Sequence, residues 1–189
     1  MCSALDVISA YRDETKTLSA EQIAWLLAKG VTTQAISGDP DLMGYAVAGA
    51  DVVFDDHSRL FDFGSERPDE ITSPAIVILA RSNFGDEADL VAWSPRSGCL
   101  AAWLGAASML GEQNALAARL GDPALDVHEN PLSWLIAGRR GVVIVDPIRA
   151  RPTLECATPL RAASVRHGLT LRKALTIPSP NIFVSRKAA

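Results

Sequence analysis

The sequence predicts an α+β fold: a single domain with one mixed, mostly antiparallel sheet of about five to seven strands, flanked by four or five helices. Short apolar runs between turn residues indicate hairpins in the middle of the chain. Capped helical segments lie on both sides of them. The chain of 189 residues is 48% hydrophobic, which suits one substantial core. We expect three parts: a helical part, a hairpin-rich sheet and a basic part that mixes helix and strand, over residues 1–40, 45–105 and 130–189.

The N-terminal part carries the clearest helix pattern. In "LSAEQIAWLLAKG", Ser19 and Gln22 have the spacing of a capping box, so a helix is predicted over 20–29. A second helix of about five residues is predicted after it, beginning at Thr32 or Thr33. The pair has the outline of a helix-turn-helix, but the second helix is short and lacks Arg and Lys, so a plain helical hairpin is favoured.

The middle part is predicted to form the sheet. "ADVVFDDHSRLFDFG" and "DLVAWSPRSGCLAAWLG" each have the pattern of a β-hairpin, and Phe61 and Phe63 are expected on one face. Between them, the apolar run "SPAIVILARS" predicts a central strand that is buried on both faces. After Gly105 the apolar spacing becomes helical from Ala107 to Leu120, which predicts a helix there.

The C-terminal part begins with "HENPLSWLIAGRRGVVIVDP". Asn130 and Pro131 predict a helix start, with Leu132, Leu135 and Ile136 as its buried stripe. A turn at Gly141 and a strand "VVIVD" follow, and Asp146-Pro147 is interpreted as the exit turn of that strand. Thr158-Pro159 then predicts a basic helix to Leu175 with a break at Gly168, and "NIFVS" predicts an edge strand.

Charge is distributed unevenly along the chain. Residues 1–138 contain 8 Lys and Arg against 20 Asp and Glu, whereas residues 139–189 contain 10 against 2. The basic part could contact an anionic partner such as nucleic acid, an acidic protein surface or a second copy of the chain. Alternatively, the basic part packs against the acidic part of its own domain, which the sequence favours because one domain would mix both regions on its surface.

Six basic residues are candidates for binding an anion or a partner. Arg139 and Arg140 fall near the predicted end of a helix, where cations stabilise the negative end of the helix dipole, and this capping role is the simpler interpretation. In one helix over 159–175, a basic arc would face solvent. The arc is formed by Arg161, Arg166, Arg172 and Lys173.

A metal site is the alternative. Asp55 and His57 are two apart on a predicted strand end, so their side chains could converge on a divalent ion, with His128, Glu129 or Asp146 as further ligands. A polar hairpin turn explains Asp55 and His57 equally well. Asp146 would have a site role only if its strand were parallel to its neighbours.

The function predicted from these patterns is that of a non-enzymatic binding or assembly protein whose basic part contacts an anionic partner. A small metal-assisted enzyme using Asp55 and His57 is the alternative, and a structural subunit without a ligand is the third. No cofactor is expected apart from that metal ion. The three cysteines form no CxxC pair, and no signal or membrane-spanning pattern is found, so a cytoplasmic location is expected.

Overall fold

The structure is a computed structural model, and it describes residues 4–38, 45–55, 57–67, 69–120, 124–157 and 159–176. Within these ranges there are seven helices: α1 (Ala4–Glu14), α2 (Ala20–Ala28), α3 (Thr33–Ser37), α4 (Glu112–Leu120), α5 (Pro131–Ile136), α6 (Pro147–Cys156) and α7 (Val165–Leu175). The same ranges contain ten strands: β1 (Lys16–Thr17), β2 (Ala48–Asp55), β3 (Leu60–Phe63), β4 (Ser73–Arg81), β5 (Glu87–Trp93), β6 (Leu100–Ala102), β7 (Met109–Leu110), β8 (Leu125–His128), β9 (Val142–Ile144) and β10 (Leu160–Ala162). The fold class is α+β, as the sequence predicted. None of these helices has both the length and the apolar character that crossing a membrane requires.

The first sheet contains six strands in the order β1-β2-β3-β6-β5-β4, and β2 also pairs with β4. The five strands β2 to β6 therefore close into a ring, with β1 attached at β2. Pairing around the ring is antiparallel except between β3 and β6, which meet in parallel at the single residue pair Leu60–Ala102. Both predicted hairpins are present, as β2–β3 and β5–β6.

Side chains of the ring separate into two clusters because successive residues of a strand point to opposite faces. One cluster contains Phe61 and Phe63, whose rings meet edge to face at 5.3 Å. The other contains Ile76 and Ile78 of β4 together with residues of α2, α3 and α5. Strand β4 is buried on both faces from 75 to 80, as its unbroken apolar run predicted.

Asp89 on β5 is a fully buried carboxylate, with an exposed fraction of 0%. It accepts backbone N–H groups from Leu90 and Leu104 on Oδ1 at 2.8 and 2.9 Å, and from Ala106 and Ala107 on Oδ2 at 2.6 and 3.0 Å. The carboxylate thus satisfies the backbone of the segment that leaves the ring after β6.

The second sheet has the order β10-β8-β9-β7. Strands β10, β8 and β9 are parallel, and β7 is antiparallel to β9. Helix α5 packs on one face through Trp134 and Leu135, whereas α6 packs on the other through Ala150 and Leu154. Parallel and antiparallel pairs are mixed, as the sequence predicted, but the strands divide into two sheets, and the pairing in the second is largely parallel.

Local capping patterns were confirmed where a helix starts. Ser19 caps α2 with the reciprocal capping box to Gln22, Thr32 caps α3 and Asn130 caps α5. The stripe predicted for α5 is partly wrong, because Trp134 and Leu135 are buried while Ile136 is 45% exposed. Helix α5 ends at Ile136, and Gly141 makes the predicted turn with a φ of 75°.

Four other predictions of secondary structure need correction. The helix predicted from Ala107 begins only at Glu112, because Met109 and Leu110 pair with β9 as strand β7. Asp146-Pro147 is the N-cap and first position of α6, which the sequence analysis missed. A basic helix does not begin near residue 159, because 160–162 form β10 beside β8. Gly168 lies inside the continuous helix α7. The residues Thr158 and "NIFVS" lie outside the described part of the chain.

Candidate ligand-binding site

The carboxyl ends of the three parallel strands lie together at one edge of the second sheet. Each of these strands is followed within a few residues by the N-terminus of a helix, α5 after β8, α6 after β9 and α7 after β10. The connections from β8 and β9 leave to opposite faces, since α5 and α6 pack on opposite sides. Open parallel sheets bind ligands in the crevice that forms at such a point.

A cleft of about 440 Å³ occupies this edge. Its volume falls within the range of roughly 300–1,000 Å³ that is typical of small-molecule sites. Its lining combines polar and apolar residues. The cleft is lined by His128, Glu129, Ile144, Pro147, Arg166, His167, Thr170, Leu171 and Ala174.

His128 is the last residue of β8, and a backbone carbonyl sets its tautomer. Its Nε2 lies 2.9 Å from the carbonyl oxygen of Arg140. Because a carbonyl only accepts, Nε2 must carry the proton in the neutral ring, which leaves Nδ1 as a hydrogen-bond acceptor. The neighbouring turn depends on Gly141, because a Cβ there would lie 2.9 Å from His128 Nε2 and 2.5 Å from the carbonyl oxygen of Asp126.

His167 has the opposite tautomer. The backbone N–H of Ala163 donates to His167 Nδ1 at 3.2 Å, so Nδ1 is unprotonated and the neutral ring carries its proton on Nε2. The residue is only 8% exposed. Burial lowers the pKa of His167, and nearby His128 lowers it further, while Glu129 acts in the other direction. His167 is therefore neutral at pH 7 and offers an N–H donor.

Two charged side chains complete the polar side of the cleft. Glu129 follows β8 directly and accepts the hydroxyl of Ser164, the N-cap of α7, on Oε1 at 3.2 Å. Arg166 lies in the first turn of α7 and is exposed. Among the described residues, no ion pair joins Arg166 to Glu129 or to any other carboxylate. The cleft therefore presents a cation and an anion that do not neutralise each other.

Arg139 does not lie on the exposed basic surface. It is 5% exposed, and it donates from Nε to Ala35 O and from Nη1 to Tyr45 O, both at 2.9 Å. Ala35 lies in α3, so Arg139 binds a carbonyl of that helix, and the prediction that it caps its own helix is wrong. Burial lowers the pKa of Arg139 to about 10, so the guanidinium stays charged at neutral pH.

Arg140 makes the contact that the capping interpretation predicts. Its Nε donates to the carbonyl oxygen of Ala137, the C-cap residue of α5, at 3.1 Å. The side chain is exposed, and its own carbonyl is the acceptor for His128. Arg140 thus contributes to the cleft through its backbone carbonyl, which fixes the tautomer of His128.

The predicted arc of four basic residues on one helix is wrong. Arg161 lies on β10, where it forms an ion pair with Asp126 at 3.3 Å. Arg166, Arg172 and Lys173 are exposed on α7. Only Arg166 of the six basic candidates lines the cleft.

Asp55 and His57 lie at the β2–β3 turn, away from these residues in the chain. Asp55 accepts the N–H of His57 at 2.9 Å and the hydroxyl of Ser58 at 2.7 Å, and these bonds lower its pKa, the Ser58 hydroxyl most. His57 Nδ1 is 3.8 Å from Asp55 Oδ1. In the part of the chain that the structure describes, no group of three or more His, Cys, Asp or Glu side chains is arranged to hold a metal ion.

A site role for Asp146 was expected only if its strand were parallel to its neighbours. Strand β9 is parallel to β8 but antiparallel to β7, so this condition is met on one side only. Its Oδ1 caps α6 by accepting the N–H groups of Ile148 and Arg149 at 2.9 and 3.3 Å. His128 and Glu129 were predicted only as further metal ligands, and His167 was not among the predicted site residues. The helix N-caps at Asn130, Asp146 and Ser164 are the signal that could have indicated the three strand ends.

Comparisons with models of protein families, with curated proteins and with solved structures found nothing that matches this chain. The fold and cleft define an α+β protein with a crevice at the carboxyl ends of parallel strands. What this crevice binds has to be inferred from its own residues.

Proposed function

We propose that the protein binds a small molecule through an anionic group in this cleft. The observation that carries the proposal is the side chain of His167, which is 92% buried with Nδ1 fixed by the backbone, so that its protonated Nε2 is left to serve a ligand. No hydrogen bond to His167 Nε2 is found among the described residues. An N–H donor that has no protein partner is available to an acceptor on a ligand.

Two further features favour an anionic group. Arg166 lines the same cleft as His167 and supplies a guanidinium, a group that binds carboxylates and phosphates with paired hydrogen bonds. Both residues lie in the first turn of the 11-residue helix α7, where the helix dipole also favours negative charge. Glu129 opposes a ligand with several negative charges, so a single anionic group fits this cleft better than a polyanion.

The proposed site is testable with simple anions. Acetate, sulfate and inorganic phosphate should raise the melting temperature of the full chain, because a ligand that binds only the folded state stabilises it. Arg166→Gln should weaken this binding about 10-fold or more, since a charge-assisted hydrogen bond contributes about 1.5–3 kcal/mol. His167→Asn, whose amide oxygen can replace Nδ1 as acceptor, should weaken it as well.

Arg172→Gln is the matched control, because Arg172 is also an exposed arginine of α7 but does not line the cleft. It should leave anion binding within about twofold of the original at moderate salt, where exposed charges are screened. Equal losses in the Arg166 and Arg172 variants would show a diffuse electrostatic effect and contradict a site in the cleft.

A second proposal concerns the outer face of α7. Val165 and Leu169 are 84% and 64% exposed there, beside Arg172 and Lys173. This mixture of apolar and basic groups favours contact with an acidic protein surface. Nucleic acid would satisfy the charges but would leave Val165 and Leu169 without an apolar partner.

The outer face can be tested separately from the cleft. The double change Arg172→Gln with Lys173→Gln should abolish retention on an acidic polypeptide such as polyglutamate at low salt, and Arg166→Gln should reduce it less. Tighter retention on DNA than on polyglutamate, lost in the same double variant, would instead favour nucleic acid.

A further inference from the structure

The cleft offers groups of opposite charge at the same site, and this narrows the chemistry of its ligand. We infer that the ligand is a zwitterion of the amino-acid type, with a carboxylate bound by Arg166 and His167, an ammonium bound by Glu129 and His128, and an apolar side chain. This inference rests on the proposed function, because it assigns the anionic group of that ligand to a carboxylate.

The charges of the cleft are complementary to such a ligand. Arg166 and Glu129 both line the cleft, yet no ion pair within 4.0 Å joins them among the described residues. Glu129 uses Oε1 for the Ser164 hydroxyl, and its Oε2 accepts no hydrogen bond from the described part of the chain. A ligand with one positive and one negative group would pair both charges at once.

The two histidines have hydrogen-bonding roles that match the positive and the negative group of such a ligand. Arg140 O fixes the proton of His128 on Nε2, so Nδ1 accepts a hydrogen bond, as an ammonium group requires. Ala163 N–H fixes the lone pair of His167 on Nδ1, so Nε2 donates, as a carboxylate requires. The two histidines therefore offer the cleft one hydrogen-bond acceptor and one donor.

The remaining lining is apolar. Ile144, at the end of β9, and Leu171, on the inner side of α7, are half-buried, and Pro147 and Ala174 lie beside them. Burial of a ligand side chain on this wall would add the favourable transfer of apolar surface from water. The wall favours an amino acid with an aliphatic side chain over glycine.

The inference can be tested by calorimetric titration of the full chain with L-leucine as the probe. Two analogues each lack one charged group: 4-methylpentanoate has no ammonium and 3-methylbutylamine has no carboxylate. L-Leucine should bind at least 10-fold more tightly than either analogue and more tightly than glycine. Glu129→Gln, which keeps an acceptor for Ser164, should weaken L-leucine binding about 10-fold and should not weaken the binding of 4-methylpentanoate.

Two control variants show whether the effects belong to the cleft. Glu155→Gln changes an exposed carboxylate of α6 that pairs with Arg151, outside the cleft, and should leave L-leucine binding unchanged. Arg166→Gln should weaken both L-leucine and 4-methylpentanoate. Melting curves of every variant confirm that the chain remains folded.

The results distinguish the zwitterion inference from the proposed anion site. Binding of 4-methylpentanoate or phosphate as tight as that of L-leucine, with no effect of Glu129→Gln, would overturn the zwitterion while keeping an anion site. Failure of every anionic probe to bind would overturn both proposals.

Discussion

At the scale of single residues, Asp89 illustrates how one buried charge can organise a segment of backbone. Its two oxygens accept four N–H groups, three of them from the segment after β6. These four donors share the two oxygens of Asp89, so both oxygens are satisfied within the protein. Its fixed position also places the start of β7, which joins the second sheet.

Asp89→Asn should destabilise the protein by about 2–4 kcal/mol, because the amide NH₂ replaces one acceptor oxygen and leaves one buried and one part-buried N–H group without a partner. The measurement is urea unfolding followed by circular dichroism. Asp86→Asn, in the exposed turn before β5, is the control and should change the free energy of unfolding by less than about 0.5 kcal/mol. A similar small effect at Asp89 would show that the buried carboxylate is not needed for the fold.

Residues with local partners were predicted more successfully than residues with distant ones. Ser19 and Asn130 bind backbone groups within three positions, and the sequence predicted both caps. Arg139 instead binds Ala35 and Tyr45, 104 and 94 positions away in the chain. No pattern around Arg139 encodes those partners, so only the folded chain shows why this arginine is buried.

At the scale of elements, helix α7 shows how a local pattern can mislead. Gly168 suggested a break, yet the helix runs through it, since Ser164 caps the start and packing of the helix against the second sheet outweighs the cost of a glycine. Strand β10 was missed because it depends on pairing with a strand that is distant in the chain. Among the described residues its only sheet partner is β8, in parallel, and parallel pairing depends on a crossover rather than on a nearby turn.

Gly168→Ala should stabilise the protein by about 0.5–1 kcal/mol, because alanine lowers the entropy of the unfolded chain and favours helix. A Cβ at this position would lie 3.6 Å from the Cβ of Ala162, an ordinary contact. The expected rise in melting temperature is about 1–4 °C. Gly141→Ala is the contrasting variant and should destabilise strongly, since its φ is 75° and the new Cβ would lie 2.5 Å from Asp126 O. A fall in melting temperature for Gly168→Ala would show that α7 has no room for the methyl group.

At the scale of the whole molecule, one hydrophobic cluster belongs to both sheets. Ile76 and Trp93 of the ring pack in the same cluster as Trp134 of α5 and Val143 of β9. The sequence predicted the fold class from alternating and helical periods, which are local. It could not predict the division into a ring and a parallel sheet, because that division depends on which strands meet across long stretches of chain.

This shared cluster predicts a single cooperative unfolding transition. Urea curves from tryptophan fluorescence and from far-ultraviolet circular dichroism should coincide, because neither sheet can lose its side of the cluster without exposing the other. Trp134→Phe, which removes the fluorophore nearest the second sheet, should give a fluorescence midpoint equal to that from circular dichroism. Separate midpoints would show that the two sheets unfold independently.

The ring of strands β2 to β6 has a seam where it closes. Strands β3 and β6 share one residue pair, Leu60–Ala102, and the N–H of Ala102 donates to Arg59 O at 3.1 Å. Strands β4 and β5 share six residue pairs. Transient local opening of the ring should occur at this seam, because separating β3 from β6 breaks the fewest hydrogen bonds between strands. In deuterated buffer, the amide of Ala102 should therefore exchange its hydrogen sooner than that of Ile78. In solution the ring would then be a curved sheet whose two edges, β3 and β6, are joined by a weak contact.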